Sequence, residues 1–209
     1  MSALPALLSG LVAAVVLALG GAPDIGAQWR STPARWLMEP AELRVWRNLE
    51  SPQEAEDFFN RFWQRRNPDP RRDGNPNRDL FEQRCSEANA LFAGEERKGV
   101  LTPRGRVFLL LGPPSALGQE YRRAPKARMV AARGRRAPET RMLLVESWSW
   151  RPEDLSPSLR RELKKRGWKL DLEVQFVLDE DTYTLLEGEA LLELAVRSWL
   201  RQGQQAMRK

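Results

Sequence analysis

Between Gly99 and Pro114 a turn carrying Gly99, Thr102, Pro103 and Gly105 leads into an unbroken apolar run, residues 107–111, which Gly112, Pro113 and Pro114 then stop. Five consecutive apolar side chains leave no face for water, so the run belongs inside a core and reads as a buried strand. Two further segments have strand character: residues 142–150, mostly apolar, and residues 170–178, where Leu170, Leu172, Val174, Phe176 and Leu178 alternate with Asp171, Glu173 and Gln175. The alternation predicts one wet face, and residues 182–186 complete a hairpin after a polar turn.

The flanking segments have helical spacing. Leu43, Val45, Trp46 and Leu49 mark a short amphipathic stretch, and Ser51, Pro52 and Glu54 form a capping-box start for a helix. Ala55, Phe58, Phe59, Phe62 and Trp63 then make one apolar stripe, predicted to pack on the sheet, and Asn67-Pro68 closes the helix. A second helix, with Phe81, Cys85, Ala88 and Phe92 on one side, should pair with the first. The C-terminal helix is read over residues 189–202. The class expected is α+β: N-terminal helices packed on a small, mainly antiparallel sheet of about four strands, with a C-terminal helix. One domain, residues 38–203, holds these elements between a linker, 28–37, and a tail, 204–209. A basic insertion, 122–136, and a charged one, 152–169, interrupt it.

The chain has no histidine, which removes Ser-His-Asp and Cys-His nucleophiles and every His-ligated metal. Cys85 is the only cysteine, so neither an internal disulfide nor a cysteine metal cluster forms, and its place on an apolar helix side reads as structural. No catalytic residue, metal site or cofactor is assigned.

Residues 1–23 carry no charged side chain, and an apolar run over residues 7–19 leads to the small residues Ala22 and Ala27. This reads as a signal peptide or a membrane anchor over residues 1–27, hence an exported, periplasmic or extracellular protein. Removing the segment takes away only Asp24 and raises the net charge from +6 to +7.

Several pieces in order resemble the bacterial GWxTD-domain family: Phe62, Trp63, Arg66 and Pro68; Asn75 to Asn77; Arg84, Ala88 and Asn89; Gly99 and Thr102 with Gly105; Gly112, Pro113 and Pro114; Glu146 with Trp148. Val100 and Pro103 stand where the name-giving motif has tryptophan and aspartate. The resemblance implies a fold and no reaction, since the family has no established activity. It implies structural roles for Phe62, Trp63, Pro68, Gly99, Thr102, Gly105, Gly112, Pro113, Pro114, Glu146 and Trp148.

Two groups of cations are candidate anion sites. Arg65 and Arg66 at a helix end, with Arg104 and Arg106 around Gly105, either converge on an anion or pair with carboxylates such as Asp69 and Glu146. Arg122, Arg123, Lys126, Arg128, Arg133, Arg135 and Arg136 form a run of seven cations without an acid. That run is either a solvated loop or a contact for anionic envelope polymer, lipid head groups or an envelope protein. Nucleic acid is the partner if the chain is not exported. A carboxylate-based glycan-acting enzyme, with Glu146 opposed to Glu173 or Asp171, is the alternative chemistry.

Overall fold

The computed structural model describes residues 32–93, 99–123, 142–168, 172–179 and 181–206. A four-stranded antiparallel meander, β1 (Ala116–Arg123), β2 (Met142–Ser149), β3 (Glu173–Asp179) and β4 (Thr182–Glu187), is joined by α1 (Pro40–Arg47), α2 (Pro52–Gln64), α3 (Pro76–Leu91), α4 (Pro103–Leu111), α5 (Pro157–Lys165) and α6 (Glu189–Ala206). The class is therefore α+β with a C-terminal helix, as expected. The segment 1–27 and most of the basic insertion lie outside the described residues.

The run 107–111 is helical, not extended. Thr102 is the N-cap, accepting from the Gly105 N–H at 3.0 Å and donating to the Gly99 carbonyl at 2.7 Å, and Pro103 occupies the first turn. Gly112, at φ +87°, stops the helix. The helix is central: all five apolar side chains are buried, each contributing about 1.5–3 kcal/mol by removal from water. Side chains satisfy its last carbonyls. Arg84 donates to Leu109 O at 2.9 Å, Trp199 to Leu110 O at 3.2 Å and Trp150 to Gly112 O at 3.3 Å. Burial lowers the Arg84 guanidinium to about 10, against the raising effect of Glu87, so it stays cationic at neutral pH. Its guanidinium also occupies the space a side chain at residue 112 would need.

The fourth strand is instead Ala116–Arg123, a wholly exposed edge strand whose polar sequence gives no strand signal. β3 lacks the predicted wet face at its centre, because Gln175 and Val177 are buried as well as Val174 and Phe176. Val177 is covered in part through its cross-strand partner Val145, and Gln175 accepts from Arg122 at 2.9 Å.

The aromatic stripe of α2 packs on other helices, with Phe58 and Phe59 against Trp46 at 5.1 and 4.7 Å and Trp63 against Phe81 at 5.0 Å. The rings packed against the sheet's Trp148 belong to Phe92, which stacks on it, and to Trp150 and Phe176, which meet it edge to face. Contacts between α2 and α3 gather where they adjoin, the Asn75 and Asn77 amides donating at 2.7 Å to Trp63 O and Arg66 O. In α1, Val45 is exposed, contrary to its apolar assignment. Ser51 caps α2 as predicted, but the Glu54 carboxylate accepts from the Glu50 N–H rather than from Ser51. Part of the expected linker is core: Pro33–Leu37 is a 3-10 turn that buries Ala34 and Leu37. α5 has the predicted Ser156 cap, and α6 runs four residues past its predicted end, to Ala206.

Candidate functional site

The four arginines near the family-like motifs do not converge. Arg65 and Arg66 meet at Glu42, with Arg65 Nη2 2.8 Å from Oε1 and Arg66 Nη2 2.7 Å from Oε2. Arg66 is 2% exposed, stacks 3.7 Å from the Phe62 ring and donates to Leu37 O at 2.7 Å and Phe62 O at 3.2 Å. It therefore joins the N-terminal turn, α1 and the end of α2. Burial works to raise the Glu42 carboxyl, but hydrogen bonds from Arg66, the Glu39 N–H and Arg65, with the Arg66 charge, hold it below its ordinary value. Glu42 had no signal in the sequence beyond its place in the first turn of α1, where its carboxylate also accepts from Glu39 N.

Arg104 lies 3.7 Å from Glu146, one of the pairings open from sequence, and stacks 3.8 Å from the Tyr183 ring. Asp69 pairs with Arg72 instead. Glu146 is buried, accepting from Trp148 Nε1 at 2.7 Å and Gln119 Nε2 at 3.1 Å, while Arg106 forks onto Glu189. The acid pair Glu146 and Glu173 is not assembled: Glu146 pairs with Phe176 and Glu173 with Ser149, so the two carboxylates project from opposite faces of the sheet. Asp171 lies outside the described residues. Among the described residues there is no cluster of three or more metal-binding side chains.

Around the start of α4 several of the residues that carry the resemblance pack on one another. Val100 N donates to Asn89 Oδ1 at 3.0 Å, Gly99 sits against the backbone of Ala88, and Gly105 sits against the backbone of Gly99. Phe62, Trp63, Thr102, Glu146 and Trp148 are all buried. Pro68 follows the end of α2, and Pro113 and Pro114 follow the end of α4.

The basic segment joins the edge hairpin. Arg122 and Arg123 are the last residues of β1, and residues 124–141, with Lys126, Arg128, Arg133, Arg135 and Arg136, lie outside the described residues before β2 begins at Met142. The register Leu117↔Trp148, Tyr121↔Leu144 and Arg123↔Met142 puts Leu117, Tyr121, Arg123 and Met142 on one face of the hairpin. Leu117, Tyr121 and Met142 are 68%, 70% and 48% exposed there. Arg122 points to the other face, where it pairs with Glu120 and bonds Gln175. The exposed apolar residues on this face of the hairpin were not singled out from sequence, because β1 itself was not read as a strand.

No protein-family model matches the chain, and no match was found among curated proteins or solved structures.

Proposed function

We propose that this is an exported, non-enzymatic binding domain built on a GWxTD-type scaffold, and that it attaches to anionic lipid head groups through the β1–β2 hairpin. The observation that carries the reading is the hairpin's composition: seven cations in one run that starts beside exposed Tyr121 and Met142, with exposed Leu117 further along the same face. Cations near a charged bilayer contribute about 1 kcal/mol each before screening, and an aromatic or thioether side chain adds contact at the head-group boundary. By contrast Arg65, Arg66, Arg104 and Arg106 are bound to carboxylates of the chain itself. Export rests on the uncharged apolar run near the N-terminus.

Sedimentation of the chain from residue 28 onward with vesicles tests this. Phosphatidylglycerol vesicles should retain it and phosphatidylcholine vesicles should not, and retention should fall steeply between low and physiological salt. Replacing Arg123, Lys126, Arg128, Arg133, Arg135 and Arg136 with serine should abolish retention at an unchanged melting temperature; Arg122 is spared for its bond to Gln175. Retention undiminished by those substitutions overturns the reading. Tighter binding to duplex DNA than to vesicles at equal salt overturns it in favour of nucleic acid.

A further inference from the structure

β1 ends the sheet. Ala116–Arg123 pairs with β2 on one side, has no strand on the other among the described residues, and is exposed along its whole length. An edge left open in this way offers its outward N–H and C=O groups to any extended chain. β4, the opposite edge, is shielded: residues 183–185 are half-buried, and a bulge at Gln175/Phe176 breaks its register with β3. The open edge is therefore that of β1.

The side chains of β1 are complementary to a second β1 laid antiparallel to it. With the two-fold axis at Gln119, residues 116–122 of the two strands are in register, and Leu117 of each copy falls opposite Tyr121 of the other. Both side chains are exposed in the single chain. The same register sets Glu120 opposite Gly118, and Arg123 opposite Ser115, whose hydroxyl donates to the Asp154 carboxylate. Arg151, Glu153 and Asp154 together carry one negative charge, so a cation meets an acidic corner at each end of the pair. Neighbouring registers are worse. An axis at Glu120 opposes two like carboxylates, and an axis at Gly118 or Tyr121 pairs only residues 116–120 or 119–123. The two basic runs leave the paired strands at opposite ends, about 26 Å from each other by the strand rise and well beyond the screening length of about 8 Å.

We infer that two copies of this chain pair antiparallel through β1, about a two-fold axis at Gln119, into one continuous sheet. The assembly closes at two, since each copy has used its open edge. The inference does not rest on lipid binding, although an axis normal to the sheet keeps Leu117, Tyr121 and Met142 of both copies on one side.

Sedimentation velocity of the full chain should show a reversible monomer–dimer equilibrium with half-association at roughly 10–100 μM, the range of a small interface. Two double variants separate this contact from any other. Leu117→Glu/Tyr121→Glu puts like charges opposite each other on both sides of the axis, and Leu117→Glu/Tyr121→Lys puts opposite charges there. The first should dimerise at least about tenfold more weakly than the second, even though it lowers the net positive charge of the chain. Both should melt like the parent, because the replaced side chains are exposed. In a Cys85→Ala background, Gln119→Cys should form an intermolecular disulfide under mild oxidation at least about tenfold faster than Gly118→Cys or Glu120→Cys, because only the residue on the axis meets its own copy. Should either double variant fail to fold, the cysteine comparison decides. A full chain that stays monomeric at about 200 μM overturns the inference. So does equal dimerisation of the two double variants, which places the contact elsewhere, residues 1–27 included, and so does fastest cross-linking at a position other than 119.

Discussion

A methyl group on Gly105 would sit 2.0 Å from the Gly99 carbonyl oxygen and 2.6 Å from Val100 Cα, both backbone atoms that cannot swing aside. At Gly118 on the edge strand the nearest atom would be the Ser147 Cβ, at an ordinary 3.9 Å. Gly105→Ala should therefore cost about 1–3 kcal/mol by overpacking, a fall of roughly 2–12 °C in melting temperature for a chain of this size, and Gly118→Ala should leave the melt nearly unchanged. Equal melts for the two variants would mean that the turn before α4 is loosely packed. Residues tied to neighbours in the chain, such as the caps Ser51 and Ser156, could be read because their partners lie three residues away. Glu42 could not, because its partner Arg66 is 24 residues distant and nothing local marks either as half of a buried pair.

Among the elements, α2 shows what helical spacing does and does not say. Its stripe correctly marked Phe58, Phe62 and Trp63 as buried, yet spacing gives the face and not the neighbour, and the neighbours are Trp46 and Phe81. Trp63→Ala removes a ring packed against both Phe62 and Phe81, so it should cost about 3–5 kcal/mol, or roughly 6–20 °C in a thermal melt followed by circular dichroism. A melt matching the parent would place that ring in solvent. The run 107–111 was misread for a related reason: an element buried on every side shows no periodicity, and only its ends tell a helix from a strand. Those ends were legible, with Thr102 and Pro103 before the run and Gly112 after it forming a helix start and stop. β1 had no such cue, since an edge strand exposed along its whole length takes its register from β2 rather than from its own pattern.

For the molecule as a whole, α+β was legible because the helical and strand spacings are segregated along the chain; of the proposed binding surface the seven cations were legible and the exposed Leu117 and Tyr121 were not, because they lie on a strand with no signal of its own. The assembled charges set how stability varies with pH. The folded Glu42 carboxyl titrates below its ordinary 4.5, so the unfolded chain binds a proton first as pH falls. The contribution of Glu42 is complete above about 4.5 and is lost on going down through the lower folded value. Cys85 works at the other end. Burial, helped by the Glu82 charge, raises its thiol from 9.0 to about 12, so the unfolded chain ionises first as pH rises; the contribution is complete below about 9 and disappears towards 12. Unfolding free energy from urea titrations should thus be flat near neutrality and slope down on both sides, to the extent that these two groups set it. Glu42→Gln should lower the plateau by about 3–5 kcal/mol, because Arg66 is left buried without its carboxylate, and should flatten the acid limb; Cys85→Ala should flatten the alkaline limb alone. An acid limb in Glu42→Gln as steep as the parent's would assign acid unfolding to other carboxylates and leave the Glu42 pair a packing contact only.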